Sequence, residues 1–269
     1  MLTPHGPEWY DRLARLQRGY FYPWKSVLPP FNGEDVYRHL LHRHLTPDTD
    51  VLDVACGHGV VALEIAPLCR HVVGYDRVPS YIQLAREAAS TRGIENAAFI
   101  CADSSVECNG GRVRIPAEPQ SFDLLTSRRG PLHWIDDAPR VGRAGAIVLQ
   151  LNPMDVPPPR WNNELPEPLR LPVSPVSYLE RSQIRRSVEE RLAGAGLRLD
   201  SCWTFEVPEV FPDPEQFYIW RSWGFAPGEV PPFEQVRAQL TAVFQRHVGE
   251  TGLAVPFGRF LWKAIMATH

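Results

Sequence analysis

The residues best suited to chemistry lie between Val51 and Asp76. Two acids, Asp53 and Asp76, flank a turn made of Ala55, Cys56, Gly57, His58 and Gly59. Glycines let the backbone approach a ligand closely. An acid about 20 residues beyond such a turn can accept hydrogen bonds from both hydroxyls of a ribose. The turn is followed by VVALEIA, a helix whose N-terminus presents free N–H groups. Together these make a nucleotide-binding element. It is not the G-x-G-x-x-G type, because Ala62 stands where the third glycine would be, and Asp53 would repel a pyrophosphate.

Two further clusters carry reactive groups. Asp103 and Ser104 follow the apolar run from Ala97 to Cys101. Ser127-Arg128-Arg129-Gly130-Pro131-Leu132-His133-Trp134 follows the run from Ser121 to Thr126. A neutral imidazole suits a general base near physiological pH, so His133 is the candidate base, with a purely structural role as its alternative. Arg128 and Arg129 are suited to gripping a carboxylate or phosphate on a substrate. The bland alternative pairs one arginine with Asp123 or Asp136 and leaves the other in solvent. Tyr22, in the aromatic loop from Tyr20 to Lys25, and Trp134 complete the candidate substrate-facing set.

Alternating strand and helix signals position these groups. Strands are expected at Val51–Val54, His71–Asp76, Ala97–Cys101, Ser121–Thr126 and Ala146–Leu151. Pro79–Thr91 reads as an amphipathic helix with proline at its start and Gly93 beyond its end. Two helices are expected earlier. One runs from Pro7 to Tyr20, with Trp9, Leu13 and Leu16 on one face, and one from Gly33 to Leu45, capped by Asn32. Open α/β sheets bind ligands at the carboxyl ends of their strands, where all three clusters fall. Asn152 to Pro175 is proline-rich and reads equally as a lid or a surface excursion. Beyond it, helices are expected at Glu180–Ala195, Asp213–Trp223 and Val236–Val248, and strands at Leu197–Val207 and Arg259–Met266.

The chain has 269 residues, 44% of them hydrophobic and 22% charged, which suits a globular α/β protein. Its net charge of −3 offers no general attraction for a polyanion, so nucleic acid is not the expected partner. No apolar stretch has membrane-spanning length, and the N-terminus lacks the shape of a signal peptide. Five scattered cysteines, with no C-x-x-C pair, suggest free thiols, a cytoplasmic location and no metal site.

The pattern Asp53-x-x-Cys56-Gly57-x-Gly59, followed by a strand ending in Asp76, resembles the class I S-adenosylmethionine-dependent methyltransferases. Ala55-Cys56-Gly57-x-Gly59 is similar to the ubiquinone/menaquinone-biosynthesis branch. Phe122-Asp123 and Arg140 to Gly145 are also family-like, as is Tyr10-Asp11. The resemblance covers about residues 48 to 151. It implies a doubly wound, Rossmann-like α/β fold with a seven-stranded sheet, mostly parallel with the last strand antiparallel. It also implies N-terminal helices and a C-terminal helical cap. One domain over 1–269 is expected, with an N-terminal helical cap (1–47), a cofactor-binding core (48–151) and a substrate side (152–269).

The implied cofactor is S-adenosylmethionine, with S-adenosylhomocysteine as product. Its implied contacts are Asp53, Ala55, Cys56, Gly57 and Gly59 around the methionine end, Asp76 and Arg77 at the ribose, and Asp103 and Ser104 at the adenine. The expected reaction is in-line methyl transfer to a small molecule. Alternatives are an RNA or tRNA methyltransferase of the same fold, a dehydrogenase using NAD, and a non-catalytic S-adenosylmethionine-binding protein. The acceptor atom and the oligomeric state, including a homodimer, are left open.

Overall fold

Val51 and Leu52 are fully buried and Val54 nearly so, as a central parallel strand covered on both faces requires. The computed structural model describes residues 6–154, 156–171 and 183–267. Helices α1 (Pro7–Leu16) and α2 (Glu34–Arg43) precede β1 (Asp50–Val54), α3 (Val60–Ile65), β2 (His71–Asp76), α4 (Pro79–Thr91) and β3 (Ala97–Cys101). Next come β4 (Phe122–Arg128), α5 (Ala138–Val141) and β5 (Gly142–Met154). The C-terminal part holds α6 (Gln183–Gly194), β6 (Arg198–Glu206), β7 (Glu209–Phe211), α7 (Pro214–Ser222), α8 (Phe233–His247), β8 (Leu253–Val255) and β9 (Gly258–Ile265).

Seven strands form one sheet in the order β3-β2-β1-β4-β5-β9-β6. Strands β1 to β5 pair in parallel. Strand β9 runs antiparallel to both neighbours, so the doubly wound α/β expectation holds, last strand included. The strand order reverses between β1 and β4, which opens a crevice at their carboxyl ends. Strands β7 and β8 form a separate two-stranded ribbon that the periodicity does not reveal.

Several boundaries differ from the sequence reading. Helix α1 stops at Leu16, and Leu16 is exposed while Trp9 and Leu13 are buried. The aromatic segment after it leaves the helix to pack elsewhere. Gly33, in the left-handed region, precedes α2, and Asn32 Oδ1 accepts the N–H of Glu34 at 3.1 Å, so Asn32 serves the first turn from one position further back. Strand β5 runs on to Met154 because β9 pairs with it as far as Gly258. The start of the helix expected from Glu180 and part of the proline-rich segment lie outside the described residues.

What is described of that segment is neither a free lid nor a loose excursion. Trp161, Leu165, Leu169 and Leu171 are buried in a cluster with α7 and α8. Asn162 closes the turn, donating to Leu171 O at 3.1 Å and accepting from Leu171 N at 2.7 Å. Arg221, on α7, donates to the carbonyls of Leu169 and Arg170. Helix α7 starts as its sequence predicts, with Asp213 Oδ1 accepting the N–H of Gln216 at 2.9 Å.

Candidate functional site

The glycine turn is held from both sides. Cys56 N–H donates to Tyr75 O at 3.0 Å, and Gly59 N–H to Cys56 O at 3.0 Å. Ala55, Gly57 and Gly59 all have positive φ. Gly59 also faces Phe99 and Ala85, where an added Cβ would come within 3.0 Å. Gly57 differs, because a Cβ there would meet nothing within 4 Å. Its requirement is conformational, and the space beside it is open.

Asp76 closes the same turn. Its Oδ2 accepts Gly57 N–H at 2.9 Å and its Oδ1 accepts Val78 N–H at 2.9 Å. Burial raises its pKa, opposed by the N–H groups of Val78, Gly57 and Arg77 and by the Arg77 charge. A carboxylate offers about four lone-pair sites, so about one remains for a ligand. Asp53 lies at the end of β1, almost fully buried. It accepts from the Ala62 backbone, and its Oδ2 is buried with no partner among the described residues. Burial pushes its pKa up from 3.8 to about 7, with Arg128 acting the other way.

Asp103 is drawn into a different set of contacts. Arg77 Nε donates to its Oδ2 at 3.1 Å and reaches Asp11 of α1 at 3.2 Å. Burial alone would raise the Asp103 pKa, but the Ser105 N–H and Arg77 hold it below the usual range. Ser104 accepts from the Tyr75 hydroxyl at 3.1 Å and lies 3.0 Å from His133 Nε2. With Tyr75 donating, the Ser104 proton is free to go to Nε2, which makes His133 an acceptor there. Burial lowers the His133 pKa, in keeping with a neutral ring. His133 is therefore tied to the carboxyl end of β3.

Trp134 requires correction as a substrate-facing residue. It is fully buried in the core, and its indole N–H donates to the buried Gln150 at 3.1 Å. Gln150 in turn donates to Gly130 O and Pro131 O, which pins the loop after β4. Gly130 packs so closely on the glycine turn that a Cβ would meet Ser127 Oγ at 2.3 Å and Ala55 Cβ at 3.1 Å. The importance of Gly130 and Gln150 depends on contacts between β1, β4 and β5, and no local motif announces it.

Arg128, the last residue of β4, and Arg129 meet neither Asp123 nor Asp136, which pair with Arg143 and Arg191. Both converge on Glu34, in the first turn of α2. Arg129 pairs directly with Glu34 and donates to the Tyr22 hydroxyl. Arg128 Nη1 stands 3.7 Å from Glu34 Oε2. A third guanidinium, Arg259 of β9, lies 3.5 Å from Glu34 and donates to Asn32. Burial would raise the Glu34 pKa, yet Arg129, Arg128 and Arg259 together hold it below the usual range.

An aromatic wall borders this cluster. The Tyr22 ring is 5.4 Å from Trp223 and 4.7 Å from Trp24, and Tyr20 is 6.0 Å from Tyr10. Tyr20 N–H donates to His58 of the glycine turn at 3.2 Å. The N-terminal segment thus lies over the turn, and burial pushes the Tyr10 pKa up to about 12. Among the described residues, no group of His, Cys, Asp and Glu could hold a metal ion. No helix among them is long and apolar enough to cross a membrane.

Residues 51–150 match the family model of a methyltransferase domain. An uncharacterized methyltransferase of Schizosaccharomyces pombe is 35% identical over 97 residues, which are 36% of this chain and 33% of that protein. An uncharacterized RNA methyltransferase of Staphylococcus aureus is 40% identical over 60 residues, 22% of this chain and 13% of that protein. The matches thus span only a third or less of these two relatives. A functionally unknown protein from Deinococcus radiodurans superposes with a TM-score of 0.65 at 26% identity, covering 97% of this chain and all of that one.

Residues 51–150 are thus similar to a methyltransferase domain. The cofactor implied by that similarity is S-adenosylmethionine, and the residues present fit it. The orphaned Asp53 Oδ2 suits a cationic amino group, and the open space at Gly57 admits a ligand against the backbone. Asp76 keeps acceptor capacity beside that space.

Proposed function

We propose that the protein transfers a methyl group from S-adenosylmethionine to a small-molecule acceptor. The observation that carries this reading is Asp53, buried at the end of β1 with one carboxylate oxygen unpartnered beside an open glycine turn. Asp53 and the backbone from Ala55 to Gly59 would hold the methionine end of the cofactor. Asp76, with Arg77 beside it, would take the ribose. Asp103 and the Ser104 backbone would meet the adenine.

The cofactor supplies a methyl group already activated by its sulfonium. The protein's part is to orient the acceptor and exclude water, and positioning of this kind can supply much of the rate. His133 serves best as a positioning residue, because its bond to Ser104 ties the loop after β4 to the end of β3. Tyr10 stays protonated near neutrality, as its raised pKa requires. The acceptor side is the space near Arg128, Arg129 and Tyr22. Its aromatic wall supports a small molecule over a nucleic acid, as does the net charge of −3. The match to an RNA methyltransferase covers only 60 residues, 22% of this chain. The turn Ala55-Cys56-Gly57-x-Gly59 adds support for kinship with the ubiquinone/menaquinone-type branch.

Calorimetric titration with S-adenosylmethionine and S-adenosylhomocysteine tests the reading. Binding of both is expected. A folded protein that binds neither would overturn it.

A further inference from the structure

Glu34 sits among three guanidiniums that come from distant parts of the chain: Arg128 at the end of β4, Arg129 next to it, and Arg259 of β9. The acid is mostly buried, and its Oε2 has no hydrogen-bond partner among the described residues. Arg129 is engaged by Glu34 and Tyr22, and Arg259 by Glu34 and Asn32. Arg128 is different. It makes no side-chain hydrogen bond among the described residues, and its side chain is 28% exposed. Its five N–H donors form a fork suited to bidentate capture of a planar anion.

Three acids face the three guanidiniums, Glu34 among them. The other acids facing it are Asp53, near Arg128, and Glu209, near Arg259. Glu209 is already bound by Trp24 and Ser26. Asp53 is the group suited to the cofactor's amino nitrogen. Arg128 therefore keeps hydrogen-bond donors without a partner among the described residues, although Glu34 lies 3.7 Å away. Asp53 and His58 of the glycine turn sense its charge, and its neighbour Arg129 contacts Tyr22 of the aromatic wall.

The geometry points to an acceptor that carries a carboxylate on an aromatic or apolar body, with Arg128 as the primary anchor and Glu34 as the internal carboxylate that competes for it. This deepens the methyltransferase reading and rests on it. A carboxylate is favoured over a bulkier anion because the cluster already seats one, that of Glu34, between its guanidiniums. The Tyr22 ring, with the Arg129 guanidinium 5.8 Å from its centroid, offers a flat apolar face beside the charge.

The test uses the full chain saturated with S-adenosylhomocysteine, whose own binding is measured first. Benzoate, benzamide and phenyl phosphate are then titrated as probes. Benzoate is expected to bind about tenfold or more tighter than benzamide, the worth of a hydrogen-bonded charge. Phenyl phosphate is expected to bind more weakly than benzoate. Arg128→Gln should abolish the preference for benzoate, and Arg128→Lys should keep part of it. Glu34→Gln should strengthen benzoate binding by removing a competing negative charge, which a merely structural role would not do. Failure to bind S-adenosylhomocysteine would sink the methyltransferase reading. Binding of S-adenosylhomocysteine with equal affinity for benzoate and benzamide, in wild type and Glu34→Gln alike, would overturn the carboxylate inference alone. A preference for phenyl phosphate over benzoate would replace the carboxylate with a phosphate.

Discussion

Gly57 donates its backbone N–H to Asp76 Oδ2 at 2.9 Å, so the acid expected to hold a ribose also holds the glycine turn in place. Removing it should have two effects. Asp76→Ala is expected to weaken S-adenosylhomocysteine binding by about tenfold or more. It should also lower the Tm, because Gly57 and Val78 lose their acceptor. Asp76→Asn retains acceptor capacity at one oxygen and should spare more of the Tm than of the affinity. Calorimetry and thermal melting of both variants separate the two roles.

Asp53 should make cofactor binding depend on pH. Burial moves its pKa from 3.8 to about 7, so it ionises in the folded protein only near neutrality. A cationic amino group binds the ionised form, and affinity for S-adenosylhomocysteine should rise from pH 6 to pH 8. The stability of the ligand-free protein should move the opposite way. A raised acid favours the folded state fully below its unfolded pKa, and that contribution is lost as pH climbs from about 4 to about 7. Asp53→Asn should flatten the affinity profile and raise the ligand-free Tm at pH 8. An affinity that stays constant between pH 6 and pH 8 in the wild type would contradict this assignment.

Two glycines in one turn should respond differently to alanine. At Gly59 an added Cβ meets Phe99 at 2.9 Å and Ala85 at 3.0 Å, and φ is +81°. Gly59→Ala should therefore destabilise the fold by several kcal/mol, from about 1–2 kcal/mol of left-handed strain plus overpacking of about 1–3 kcal/mol. At Gly57 only the φ of +56° opposes a side chain, so the stability loss should stay near about 1–2 kcal/mol. Its Cβ would instead enter the space left for the ligand, and S-adenosylhomocysteine binding should fall sharply. Denaturant melts paired with calorimetry would show the contrast.

His133 should behave as a support rather than a proton acceptor. Its Nε2 is engaged with Ser104 at 3.0 Å. His133→Gln is expected to lower cofactor affinity a few-fold while leaving kcat and the shape of its pH profile largely intact. A general base would instead cost about 10²–10⁴ in kcat. Steady-state kinetics over a pH range, once an acceptor is in hand, would distinguish these outcomes.

Legibility followed the distance over which each feature is encoded. Strands β2 and β3 and helix α4 match their expected bounds, because each is a short periodic run with its own stop signals. The β7–β8 ribbon escaped notice because three-residue strands carry almost no periodicity. Trp134 read as substrate-facing from its place in a pocket loop. Its indole instead found Gln150 on the neighbouring strand and turned into the core. The described proline-rich segment read as lid or excursion, yet its buried leucines and Trp161 belong to a cluster completed by α7 and α8.

The sequence by itself determined the glycine-turn element proposed to hold the cofactor. Asp53, Gly57, Gly59 and Asp76 lie within one strand-turn-helix-strand unit, where backbone conformation and strand polarity follow from neighbouring residues. Only the tertiary structure decided the arginine cluster proposed for the acceptor side. Glu34 meets Arg129 across 95 positions, and Arg259 reaches Asn32 across 227. No local pattern encodes such pairings, because they arise when α2 docks over the carboxyl ends of β4 and β5 and β9 inserts beside β5. Charge at a strand end is readable from one residue, but which opposite charge it meets depends on how the whole chain packs.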